Sequence, residues 1–167
     1  DTPYYFNLHV GKLGSTSVFG MTTVGKTAFI AFLMEQSQKY GGQTIILDKN
    51  SSWEVNVRIK DGSYLKMEPG VNTGIAILQL SDNPTNRRFM VQAMKLILEQ
   101  ELGSPLSSDE KQQVEEAVRM TYEEFPVKEN RRMKILQQAL VDKKLMKAIA
   151  PWVEGGEHGW ILDSPVD

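Results

Sequence analysis

Gly20-Met21-Thr22-Thr23-Val24-Gly25-Lys26-Thr27 decides the reading of this chain. It fits G-x-x-x-x-G-K-[ST], the Walker A spacing of a phosphate-binding P-loop. Gly20 lets the backbone leave a strand sharply. Backbone N–H groups of Thr22, Thr23, Val24, Gly25, Lys26 and Thr27, with Met21 completing the wrap, are placed to point inward as an anion nest. Gly25 keeps a Cβ away from the phosphates. Lys26, the one residue here assigned a catalytic role, brings a flexible cation to the β- and γ-phosphates of ATP. Thr27 offers a hydroxyl to Mg2+, which prefers oxygen ligands. A helix starting there would aim its positive end at the same anion.

The flanks supply the required context. Residues 15–19 (STSVF) predict a short strand running into Gly20, and residues 28–40 predict the helix leaving the loop. Upstream, residues 4–10 alternate as a strand, with His9 read as a packed residue rather than a ligand. Gly11-Lys12-Leu13-Gly14 is not G-x-G-x-x-G, which disfavours a dinucleotide site.

Downstream, Gly41-Gly42 predicts a left-handed helix stop. Residues 43–47 (QTIIL) then read as a buried parallel strand ending in Asp48-Lys49-Asn50. Polar groups at such a strand end face the ligand crevice, so Asp48 is a candidate to support the nucleotide site from behind the loop. A turn-forming Asp that satisfies a nearby helix start is the simpler role. Ser51-Ser52 predicts the cap of a short helix through Trp53, Val55 and Ile59, and residues 63–67 predict another strand.

From Asn83 the pattern turns helical. Phe89, Met90, Ala93, Met94, Ile97 and Leu98 share one face. Ser107 with Glu110 forms a capping box ahead of Val114, Ala117, Val118, Thr121, Tyr122 and Phe125. Residues 131–150 predict a further helix, divisible in two. Arg131-Arg132 and Lys143-Lys144 read as solvated basic faces, with either arginine open as a finger to a neighbour's nucleotide. His158 reads as exposed in a glycine-rich loop, and residues 160–163 as a returning strand. The expected fold is α/β: a truncated RecA-like P-loop parallel sheet with an inserted helical subdomain. The domain assignment follows, with an α/β core over 1–82 and 151–167 and a helical subdomain over 83–150.

Composition narrows the class. The 167 residues carry 41% hydrophobic and 24% charged residues, a net charge of −2 and no cysteine. Disulfide frameworks and thiolate metal sites are excluded, and overall charge gives no bias toward nucleic acid. No apolar run approaches the ~18 residues of a spanning helix. Both ends fall inside strand-like sequence, so the chain is expected to be a piece of a longer protein.

With these pieces placed, the sequence resembles the CagE/TrbE/VirB family of type IV secretion and conjugation ATPases. Carriers of the resemblance are Tyr5-Phe6-Asn7-Leu8-His9-Val10, the loop, Asp48-Lys49-Asn50-Ser51, and Leu78-Gln79-Leu80-Ser81-Asp82 with Asn86-Arg87. Ala150-Pro151-Trp152, Gly155-Gly156-Glu157 and Gly159-Trp160-Ile161-Leu162-Asp163 complete it. The resemblance implies a bacterial motor ATPase using ATP and Mg2+ and energising assembly or substrate transport. Its partners would be itself in a ring, a hexamer in the parent, other type IV secretion components, and a DNA or protein substrate. Its place would be cytoplasmic, peripheral to the bacterial inner membrane. The family's loop often carries Gly-Pro-Thr-Gly-Ser-Gly-Lys, so within Met21-Thr22-Thr23-Val24 the residues Met21, Thr23 and Val24 depart from it. The family's later Asp-Glu strand has no counterpart, because Ser164 follows Asp163. The chain is therefore expected to bind nucleotide but to be catalytically incomplete. Other P-loop motors, such as a DNA translocase, and a non-catalytic nucleotide-binding module are the alternatives.

Overall fold

The computed structural model describes residues 14–164. The strand expected over 4–10, with His9, lies outside them. The chain forms two compact units, Asp1–Tyr64 and Leu65–Asp167.

In the first unit, α1 (Lys26–Ser37) starts directly on the loop and passes through a 3-10 turn to Gly41. Gly41 takes φ 71°, the left-handed stop expected there. A short α2 (Glu54–Ile59) follows. None of the described residues of this unit is buried.

The expected truncated RecA-like parallel sheet is not found. Among the described residues the regular structure is helical, and the one β feature is an isolated antiparallel bridge between Ala76 and Asp163. Residues 15–19, 43–47 and 63–67 have no strand pairing. The error has a physical source. β-branched and aromatic residues favour extended backbone, but a strand exists only when a second strand takes its N–H and C=O groups. Nor do these stretches find an apolar face: Phe19 is 91%, Ile45 82% and Leu47 98% exposed.

The second unit is built on α3 (Pro84–Leu102), α4 (Ser108–Glu124), α5 (Met133–Ala139) and α6 (Lys143–Ile149), with a single-turn α7 (Gly159–Leu162). Helix α4 packs against α3 and α5, and α3 also packs against α6. Met90, Met94 and Leu98 recur every four residues along α3 and are fully buried. They meet Val114, Ala117, Val118 and Tyr122 of α4, Met133 and Leu136 of α5, and Leu145 and Ile149 of α6 in one core. Phe89, expected inward, is 53% exposed because it sits one position off that row.

Local chemistry fixes the helix ends. Asn83 accepts the Asn86 N–H, and Pro84 sits at the first position of α3. The Ser107–Glu110 capping box forms in both directions. Gly103 at φ 63° ends α3. Residues 160–163, expected as a strand, instead make the turn of α7 and the bridge at Asp163. Gly159 makes that turn feasible: a Cβ there would lie 2.2 Å from the Val153 carbonyl oxygen. The apolar run Trp160-Ile161-Leu162 is too short for periodicity to separate strand from helix.

Candidate functional site

The loop residues are contiguous and closed on themselves. Gly25 is the N-cap of α1 at φ 88°, with no side-chain cap hydrogen bond. A Cβ at Gly25 would meet nothing within 4 Å, so this glycine is needed for its backbone angle rather than for space. At Gly20 a Cβ would stand 3.0 Å from Val24 Cγ2, a tight contact with an exposed side chain that a small shift relieves. Thr23 holds φ 72°, and its hydroxyl donates to the Thr22 carbonyl at 2.5 Å.

Lys26 turns its side chain back over the loop. Its Nζ donates to the Gly20 carbonyl at 2.8 Å and to the Met21 carbonyl at 2.5 Å. The ammonium therefore sits over the turn that the motif assigns to phosphate. The first backbone hydrogen bond of α1 runs from Phe29 N–H to the Gly25 carbonyl. The N–H groups of Lys26, Thr27 and Ala28 donate to no acceptor among the described residues, as at any uncapped helix start. The Thr27 hydroxyl is exposed and also makes no hydrogen bond among them. Uncapped N–H groups, a cation and a hydroxyl at one helix start make a donor set that suits a magnesium-bound phosphate.

Asp48 is spent locally. Its carboxylate accepts from the N–H groups of Trp53 at 2.8 Å and Asn50 at 3.2 Å, the Ser52 hydroxyl at 3.3 Å and the Tyr64 hydroxyl at 3.4 Å. The Trp53 N–H bond above all holds this acid below the usual carboxylate range. Trp53 is the N-cap of α2, so Asp48 rather than Ser51 or Ser52 supports that helix start. No hydrogen bond joins Asp48 to the loop among the described residues.

In the second unit the adjacent arginines correct the reading of a solvated basic face. Arg131 is 3% exposed. It donates to the carbonyls of Phe125 at 2.7 Å, Pro126 at 3.0 Å and Leu80 at 3.1 Å, and lies 4.3 Å from the Tyr122 ring centre. Arg132 reaches the other way, to Asp163 and Glu154. Neither guanidinium is free to serve as a finger. A buried arginine whose partners are carbonyls leaves no sequence mark, because the acceptors are backbone atoms.

Asp163 is 4% exposed. Its carboxylate accepts from Arg132 Nε at 2.9 Å, Met133 N–H at 3.0 Å and Glu154 N–H at 3.1 Å. His158 stacks obliquely on Trp152, with ring centres 5.0 Å apart. Among the described residues no group of three or more His, Asp or Glu side chains could hold a metal ion, and no helix is long and apolar enough to cross a membrane.

No family model matches the chain. Individual relatives do, and they are type IV secretion system proteins: the chain is homologous to them along its whole length. The particular group is VirB4 and PtlC. The chain is 31% identical to the type IV secretion system protein VirB4 of Bartonella quintana over 99% of its own length. It is 30% identical to PtlC of Bordetella pertussis and 24% identical to VirB4 of Brucella abortus, again over 99% of its length. It spans only 21% of the Bartonella protein and 23% of the other two.

Proposed function

We propose that this chain carries the ATP-binding loop of a bacterial type IV secretion motor ATPase. The observation that carries the reading is Lys26: it follows a left-handed Gly25, starts α1, and folds its ammonium over the Gly20 and Met21 carbonyls. Homology to VirB4 and PtlC over 99% of the chain supports the same assignment.

In this account the N–H groups from Thr22 to Thr27 cradle the phosphates. Lys26 exchanges its two carbonyl partners for β- and γ-phosphate oxygens. Thr27 supplies a hydroxyl to Mg2+, which neutralises charge on the same oxygens. The whole protein would act as a ring on the cytoplasmic face of the inner membrane, with other secretion components as partners and DNA or protein as the moved substrate.

The chain alone binds nucleotide and turns it over poorly. Hydrolysis needs a carboxylate free to orient water. Glu154 and Glu157, the nearest late carboxylates in sequence, are exposed in or beside a glycine-rich loop, and Asp163 and Asp48 have their oxygens engaged by protein donors. In the full-length protein, Lys26→Ala should abolish phosphate release and secretion together. Secretion that persists without Lys26 overturns the assignment.

A further inference from the structure

Among the described residues, three that are not glycine hold positive φ: Thr23 at 72°, Ser51 at 54° and Asp61 at 54°. Thr23 differs from the others in being β-branched, for which this region is a true outlier. Such strain persists where packing over-determines it. No such packing surrounds Thr23: Met21 is 80% and Val24 59% exposed, and Thr22 and Thr23 are exposed as well. What closes the loop is the Lys26 ammonium on the Gly20 and Met21 carbonyls, with the Thr23 hydroxyl on Thr22. The ammonium bonds are the ones Lys26 would give up to a phosphate.

We infer that Thr23 is a positioning residue that sets the affinity of this loop. Its branched Cβ at a left-handed position makes the wrapped loop compete with relaxed conformations. Apparent affinity then falls by the fraction of molecules that are wrapped. The inference rests on the reading of residues 20–27 as a phosphate loop.

The test titrates Mg-ATP into the wild-type chain, Lys26→Ala, Thr23→Asn, Thr23→Gly and Thr23→Val. Asparagine and glycine enter the left-handed region readily, and valine keeps the branch while losing the hydroxyl. Thr23→Asn and Thr23→Gly should tighten binding about three- to tenfold, the upper end matching ~1.4 kcal/mol. Thr23→Val should not tighten it. The gain should appear in the association rate of a fluorescent ATP analogue, with dissociation unchanged, because the population of the competent loop is what changes. A role in stability alone would move the melting temperature and leave that rate alone. Lys26-dependent binding that Thr23→Asn and Thr23→Gly leave unchanged overturns this inference only. Absence of Lys26-dependent binding in the wild type overturns the phosphate-loop reading and this inference with it.

Discussion

Arg132 Nε and Asp163 Oδ1 meet at 2.9 Å, and the Arg132 guanidinium also donates to the Asp163 backbone carbonyl at 2.6 Å. One residue thus holds the side chain and main chain of the other, tying the start of α5 to the end of α7. The Met133 N–H, at the first position of α5, completes the Asp163 carboxylate. Asp163 is a fastening of the helical unit.

Removing that carboxylate should be expensive. Asp163→Ala leaves the Arg132 Nε and the N–H groups of Met133 and Glu154 without their acceptor, while the guanidinium keeps the residue-163 carbonyl, so it should cost about 3 kcal/mol. Asp163→Asn keeps an acceptor and should cost less. Urea unfolding followed by Trp152 and Trp160 fluorescence, in a Trp53→Phe background, reads this unit.

The same unfolding assay separates two groups around Tyr122. Its hydroxyl is buried without a hydrogen-bond partner among the described residues, and burial pushes its pKa up. Tyr122→Phe removes an unsatisfied group and should leave stability within about 1 kcal/mol of wild type. Arg131→Ala strands three carbonyls and uncovers the Tyr122 ring, and should cost about 3 kcal/mol.

Much of the helical unit was legible because its signals are local. The capping box needs only Ser107 and Glu110, and the buried rows of α3 and α4 follow from 3.6-residue periodicity. The left-handed Gly25 and the helix that starts at Lys26 are local features of the same kind. What failed depended on partners elsewhere in the chain. Residues 43–47 have strand composition, but nothing in QTIIL names a pairing partner, and none is found among the described residues. Arg131 looked solvated because its acceptors are backbone carbonyls at residues 80, 125 and 126. Residues 160–163 read as a returning strand because the donors that hold Asp163 lie elsewhere, some thirty residues earlier at Arg132 and Met133 and at Glu154.

Acid should loosen the start of α4 in a defined window. A Lys144 hydrogen bond, then those from the Ser107 N–H and hydroxyl, hold the Glu110 carboxyl at about 2, against an ordinary value of 4.5. A depressed pKa contributes stability that is full above the unfolded value and lost as pH falls through the folded one. The contribution should therefore fade between pH 4.5 and about 2. Glu110→Gln should flatten the pH dependence of the melting temperature across that interval, with Ser107→Ala costing about 1 kcal/mol at neutral pH.

Glycine at 159 should tolerate nothing larger. Gly159→Ala places its Cβ against the Val153 carbonyl and should cost 3 kcal/mol or more by forcing apart residues 153–163. Gly155→Ala, at φ 83° but with open space around it, should cost only about 1 kcal/mol. Equal losses in the two variants, measured by thermal unfolding, would show that the close approach is relieved by a shift.

The loop is the centre of the account, and calorimetry tests it most directly. Mg-ATP should bind the 167-residue chain at one site, and Lys26→Ala should weaken that binding roughly 10- to 100-fold, as expected for lost hydrogen bonds to a charged group. Equal affinity in the two proteins, or no binding in either, would contradict it.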